Sequence, residues 1–408
     1  MPNISLHLPK SWDELTTAQL EAVSAILIDE ARKYSSSGTF SQVSLLTRCF
    51  FALTGLRPVG LPRQDTEGQS AAPPEDPITF GDPDEHTYYQ CEYTDLALRN
   101  QRQYVEGHGI VPIRIYLYEI KSLAIGDILD KDLQRYLKRL ELYDKRIAAG
   151  KEAEPPTMPS PQGPLSWLLK PSTRTIVPYP ELTLPDPHHQ EGQRERWLDP
   201  NTLQPAVRTV PATVTLTGPA EMMQDFSWRQ YRFACDFMSY LAQVENAELD
   251  ARAHHHAARA ERLHRDVVEV RAQFLATLFT RPVLHQDPDT HQLVYAPRFT
   301  ASQCQDNAYL FRDFPDEKFQ VISLWWQGMM HYLAQQFPKV FRSTGVGKAA
   351  VGADHDPLSL YTRSTTTMIK YAAANEEEVN ATTYTVILQH MNDMAEENER
   401  IEQMKNNR

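Results

Sequence analysis

The chain is short of the features that most often mark chemistry. No run of about 18 apolar residues is present, so a membrane-spanning helix is not expected. The first ten residues include Pro2, Asn3, His7 and Pro9 and offer no apolar core for a signal peptide, which places the protein in the cytoplasm of the cell that makes it. The four cysteines (Cys49, Cys91, Cys235 and Cys304) lie far apart, and no Cys-x-x-Cys pair exists to build a zinc knuckle or a dithiol redox site. Gly-x-Ser-x-Gly and Gly-x-Gly-x-x-Gly are both missing. Glycine is sparse at 16 residues against 29 prolines, and the prolines cluster, which points to linkers and irregular connections. Basic runs are missing too. With a net charge of −12, direct binding to DNA or RNA is disfavoured, because phosphate neutralisation drives that affinity.

Near-misses reinforce the point. The stretch Ser343-Thr344-Gly345-Val346-Gly347-Lys348-Ala349 resembles a phosphate loop, but Arg342 stands where its first glycine should be and Ala349 where the magnesium-ligating hydroxyl should be. His254-His255-His256 point about 100° apart on a helix, so the three cannot share a metal from one face. His256 and His264 can align, yet no cysteine or carboxylate spacing completes a shell. Asp287/Asp289 and Asp354/Asp356 lack the glycine and glutamate of a calcium loop. These residues assign no catalytic residue, no metal ligand and no cofactor.

What is present is helix-forming periodicity in a chain that is 41% hydrophobic and 23% charged. Leu20, Val23, Ala25, Ile26 and Leu27 form one apolar face, with Asp13 or Thr16 as cap and Ser41 as cap of the following helix. Phe233, Phe237, Tyr240, Leu241 and Val244 form another. The two zones share an order of Ser-Trp, helix, helix, Arg-Pro-Val: Ser11-Trp12 leads to Arg57-Pro58-Val59, and Ser227-Trp228 to Arg281-Pro282-Val283. This reads either as an internal repeat or as chance likeness between helical pairs. Asn246–Asp266 has neither Gly nor Pro, and its propensities favour one continuous helix over a break.

The expected fold is mainly α with minor β: two related helical units joined by proline-rich irregular segments, plus a C-terminal helix. The segments expected are a helical unit 1–59, an acidic linker 60–85, a small α+β segment 86–149, and a proline-rich extended segment 150–220. A second helical unit 221–342, a loop 343–357 and a C-terminal helical segment 358–408 follow. Within them, alternation over Ile110–Tyr118 predicts a strand, Asp127–Ala148 a helix, and Thr175–Val177 and Thr213–Thr217 short extended pieces. Glu317–Phe337 and Glu376–Gln403 predict helices.

Two stretches suit protein contact. Trp325-Trp326 followed by Met329-Met330 is the richest aromatic–sulfur cluster, and adjacent tryptophans cannot both face one core stripe, which leaves one either as a partner anchor or buried by a second internal surface. Tyr384, Ile387, Met391, Met394, Asn398 and Ile401 recur at 3, 4, 3, 4 and 3, a heptad seam that must cover either its own body or another chain. Trp325, Trp326, Tyr384, Ile387, Met391, Met394 and Ile401 are therefore the candidate partner-binding residues.

The opening Leu8-Pro9-Lys10-Ser11-Trp12-Asp13-Glu14-Leu15-Thr16, the Cys49–Gly55 stretch and the closing Tyr361, Ser364, Thr365 and Met368-Ile369-Lys370-Tyr371 with its acidic helix are similar to uncharacterised tail-module proteins of phages and prophages of Bacteroidetes-type bacteria. That resemblance implies a helical, non-enzymatic tail assembly chaperone in the cytoplasm of a bacterial host. Its partner would be a protein, such as the tape-measure or another tail protein, with no nucleic acid and no membrane. A structural adaptor or neck component of the particle is the alternative, and an enzyme with a dispersed site the third.

Overall fold

Where the apolar residues recur every three to four positions the chain coils, and the protein is mainly α-helical with a minor β component. In the computed structural model, the described residues are 6–37, 42–64, 87–126, 130–148, 156, 162–188, 194–198, 205–209, 212–286, 293–297, 299–341 and 375–406. They fall into two compact units. The first is Met1–Arg174 with Asp316–Gly328, and the second is Thr175–Pro315 with Met329–Arg408. Each unit draws on two stretches of chain.

In the first unit, a 3-10 turn at Trp12–Glu14 precedes α1 (Thr17–Ser37) and α2 (Gln42–Thr54). Thr16 starts α1 as expected: its Oγ1 accepts from the Gln19 amide at 3.3 Å, and the Gln19 side chain accepts from the Thr16 amide at 3.1 Å. Leu20, Val23, Leu45, Leu46, Cys49 and Phe50 close the core between the two helices. At its edge Arg48 pairs with the buried Glu30 at 2.5 Å and with Asp29 at 2.6 Å.

Gly55, at φ +68, ends α2 and turns the chain into β1 (Leu56–Pro58), a left-handed bend that suits glycine. The Arg-Pro-Val ending is therefore a strand start as well as a helix stop. A four-stranded antiparallel sheet follows, with β3 (Thr87–Tyr93) at its centre. β1 and β2 (Arg63–Gln64) lie along one edge of β3, and a later strand, Ile113–Tyr116, along the other. The linker expected over 60–85 thus begins with a paired strand, while residues 65–85 lie outside the described set.

Between these strands come α3 (Leu96–Arg102), capped by Asp95 on the Ala97 amide at 2.7 Å, and the ribbon β4 (Tyr104–Val105) and β5 (Gly109–Ile110). The sheet's other edge strand is then β6. The strand expected over Ile110–Tyr118 is shorter than its alternation. Leu117 and Tyr118 already belong to α4 (Leu117–Ile120), because Glu119 accepts from the Tyr116 amide at 2.8 Å and starts a helix there. A π-turn, Lys121–Ile125, leads toward α5 (Asp130–Ala148). Buried Leu165 precedes and buried Leu168 lies within a 3-10 turn at Ser166–Leu169, whose Trp167 sits edge-on to Trp12 at 5.2 Å. Arg174 is buried and donates to the carbonyls of Trp12 at 2.8 Å and Leu15 at 3.0 Å.

The second unit opens with strands where the sequence suggested irregular chain. β7 (Glu181–Pro185) pairs with β10 (Thr213–Thr217), and between them β8 (Arg194–Leu198) pairs with β9 (Pro205–Thr209). The extended piece expected at Thr213–Thr217 is β10, whereas Thr175–Val177 forms no strand. Ser227 then caps α6 (Trp228–Ala253) through the Gln230 amide. The continuous helix expected over Asn246–Asp266 is broken. α6 stops at Ala253, His255 takes φ +57, and α7 (Ala257–Leu278) returns antiparallel against α6. High helix propensity was overridden by the apolar faces of both segments, which bury each other through Leu241, Val244, Ala251, Ala260, Val267 and Val270. Tyr240, expected on the apolar stripe, is exposed.

The chain continues through β11 (Pro282–Gln286), β12 (Leu293–Pro297), α8 (Ala301–Asn307) and a 3-10 turn at Ala308–Phe311. α9 (Asp316–Gln336) and α10 (Pro338–Phe341) follow. The single C-terminal helix expected from Glu376 to Gln403 is instead α11 (Glu376–Ala381) and α12 (Tyr384–Asn406). The break at Thr382-Thr383 lets Trp228 and Tyr384 exchange backbone bonds with Thr382 and Phe226 at 2.7 and 3.1 Å. Ser41, residues 343–357, Tyr361, Ser364, Thr365 and Met368–Tyr371 lie outside the described residues.

Candidate functional site

The residues expected to anchor a partner are largely interior. Trp325 and Trp326 are 1% and 4% exposed, so neither indole is presented at the surface. The argument from one core stripe fails here because α9 is covered on more than one side: Val321, Ile322, Leu324 and Met329 are buried as well.

Tyr384 and Ile387 are also buried, at 1% and 3%. Tyr384 stacks on Tyr231, with ring centroids 4.9 Å apart, and donates its hydroxyl to the Met222 carbonyl at 3.0 Å. Beyond them the contact face departs from the seam. Leu388 and Asn392 are buried, Met391 and Met394 are half-buried, and Ile401 is exposed. The buried or bonded face of α12 thus runs through Tyr384, Ile387, Leu388, Asn392 and Glu399. Asn392 accepts from the Lys339 amide at 3.1 Å, and Glu399 pairs with the Lys339 ammonium. A straight helix drifts from a strict heptad, and here that drift carries the apolar seam off its own body after Met394.

A polar cleft of about 260 Å³ lies where α11 meets the start of α6, lined by Asp225, Arg229, Gln230, Thr280, Glu377 and Asn380 among others. Its groups are largely engaged with one another. Arg229 pairs with Glu377 at 2.9 Å, and Gln230 donates to the Thr277 carbonyl at 2.9 Å. Asp225 accepts from the Ala220 amide at 3.0 Å. The surrounding protein raises the Asp225 carboxyl above its ordinary value by desolvation, although the side chain reaches solvent, and the backbone amides partly oppose that rise. The cleft can hold a small polar group. No cysteine lines it, and the chain's four thiols are held protonated. Burial pushes Cys49 and Cys91 up to about 12, Cys235 to about 11, and Cys304 upward.

The histidines at the α6–α7 turn are tied to acids. His264 Nδ1 lies 3.2 Å from Glu248, and His254 Nδ1 3.3 Å from Asp250. Among the described residues, no group of three or more His, Cys, Asp or Glu side chains is placed to hold a metal ion. Nor is any described helix long and apolar enough to cross a membrane.

The surface that stands out is α5, which the candidate list omitted. It is 19 residues long, and none of its described side chains is buried. Leu137, Leu142 and Ile147 are exposed, while Tyr136, Leu140 and Tyr143 are half-buried. Tyr136, Leu140, Tyr143 and Ile147 recur at 4, 3 and 4, and with Leu137 they span an arc of roughly 120°. Arg135, Lys138 and Lys145 occupy the opposite side, and Arg139 and Arg146 flank the arc at its Tyr143 edge. The periodicity was visible in the sequence, but only the structure shows that none of the described stripe residues is fully buried. Most helical stability in proteins comes from tertiary packing of such an amphipathic face.

No protein-family model, no curated protein and no solved structure matches this chain.

Proposed function

We propose that this chain is a non-catalytic, protein-binding factor of phage or prophage tail morphogenesis. It acts as an assembly chaperone that covers apolar helical surface on a tail protein, such as the tape-measure protein, until assembly. The observation that carries the reading is the apolar stripe of α5, half-buried at Tyr136, Leu140 and Tyr143, exposed at Leu137 and Ile147, and fully buried at no described position. A helix that buries no described side chain is stabilised when a partner covers that stripe, at about 1.5–3 kcal/mol for each Leu or Ile side chain fully taken out of water. The exposed Ile401 and Met404 at the end of α12 add a second, smaller apolar element. The net charge of −12 favours solubility of a complex whose partner is greasy. The tail-module resemblance of Leu8–Thr16 and of the Cys49–Gly55 stretch supplies the biological setting.

Co-expression with the tape-measure protein of the same tail module tests this. The expected result is that the tape-measure protein stays soluble only with this chain and that finished tails lack it. A chain that remains in finished tails would make it a structural adaptor instead. A tape-measure protein that is equally soluble alone would overturn the proposal.

A further inference from the structure

We propose that α5 docks an amphipathic helix of another protein whose apolar seam is edged by glutamate or aspartate. This rests on the reading of the chain as a protein-binding factor and names the surface and its partner's chemistry.

The spacing of the stripe comes first. Tyr136, Leu140, Tyr143 and Ile147 return every three and four residues, the d and a positions of a heptad that sequence extends back to Leu133. That is the narrow seam of one helix laid along another. The edge of the seam comes second. Arg139 and Arg146 each immediately precede an a residue and so occupy g, where side chains reach a partner helix. Both are exposed, and neither is in an ion pair among the described residues, whereas Lys145 on the far side is tied to Glu141 at 2.7 Å. A row of two unpaired arginines beside an apolar seam calls for carboxylates on the occupant. A second copy of α5 packed antiparallel would bring like-charged g residues together, which disfavours that arrangement. Over residues 130–148 six basic side chains stand against four acidic ones, so the helix is net positive in a chain that is otherwise net negative, which favours approach of an acidic partner.

The test is an anisotropy titration of the full chain with two labelled, designed 28-residue helices. Both carry leucine at a and d; one has glutamate at e and g, the other lysine. The glutamate helix is expected to bind about tenfold tighter or more at low salt, with the gap narrowing as salt rises. Leu140→Glu together with Tyr143→Glu is expected to weaken that binding more than tenfold. Leu142→Glu together with Lys138→Gln, which changes the charge by the same two units away from the seam, is expected to leave it within about twofold. Arg139→Glu with Arg146→Glu is expected to shift the preference to the lysine helix. Circular dichroism and melting of each variant distinguish lost docking from lost folding, since none of these positions is buried. Equal affinity for both helices, or none for either, overturns the proposal. So does a dimer in sedimentation equilibrium that Leu140→Glu dissolves, which would make a second copy the occupant. Binding to vesicles of phosphatidylcholine and phosphatidylglycerol that the same substitution removes would make it a membrane surface. If the tape-measure complex forms and survives Leu140→Glu, the assembly reading stands and this docking face fails. If the glutamate helix binds through α5 but the tape-measure protein is not held, the face stands and that reading fails.

Discussion

Tyr384 at the start of α12 lies flat against Tyr231 of α6, the ring planes 25° apart, and its hydroxyl bonds the backbone of Met222, a residue held at φ +56. The seam's first residue is therefore a clamp within the second unit. Tyr384→Phe removes one hydrogen bond and should cost about 1 kcal/mol, whereas Tyr384→Ala removes the ring and should cost about 3–5 kcal/mol. Denaturant unfolding of both variants checks this. A fully stable Tyr384→Ala chain would show that the ring's role lies outside the fold.

The end of the same helix behaves differently. Among the described residues, the last tie between α12 and its own unit is the Glu399–Lys339 pair, and Ile401 and Met404 beyond it are exposed. Truncation after Glu399 should change stability by no more than about 0.5 kcal/mol. Truncation before Tyr384 should abolish cooperative unfolding of the second unit. Thermal melts of the two truncated chains would separate these outcomes.

Gly328 sits inside α9, where replacement by alanine ordinarily stabilises a helix by about 1 kcal/mol. Here a Cβ would fall 2.1 Å from the Arg174 carbonyl oxygen and 2.4 Å from its amide nitrogen, and backbone cannot swing aside as a side-chain tip can. Arg174 is itself fixed by its bonds to Trp12 and Leu15. Gly328→Ala should therefore destabilise the first unit by about 1–3 kcal/mol net. A rise in melting temperature would contradict the close approach.

The raised thiols give a chemical check. With Cys49 and Cys91 at about 12 and Cys235 at about 11, the thiolate fraction at pH 7 is negligible, and buried sulfurs are shielded besides. Intact mass after iodoacetamide treatment should show no adduct on the native chain at pH 7 and four in denaturant. One fast adduct at pH 7 would identify a reactive thiol in an open environment.

The mainly helical class and the placement of most helices were legible because amphipathic repeats are local. α1, α2, α5 and α9 fall within a few residues of their periodicity. Among the strands, β6 and β10 were legible from alternation, but β7, β8 and β9 were not, because they lie in proline-flanked stretches whose alternation is short. The two hairpins α1–α2 and α6–α7 share the order Trp, helix, helix, strand, although Trp12 lies in a 3-10 turn and Trp228 opens α6. The proposed partner surface was the hardest to read. A heptad seam looks the same whether it is buried, as at Tyr384 and Ile387, or half-buried to exposed, as at Leu140 and Ile147. Only burial separates the two, and burial is a long-range property.

Hydrogen–deuterium exchange of the full chain, alone and in complex with a tape-measure protein, tests the account most directly. Slowed exchange across residues 134–147, with 316–336 and 384–399 protected equally in both states, is the predicted result. New protection confined to α9 or to the Tyr384–Glu399 part of α12, with α5 unchanged, would contradict it.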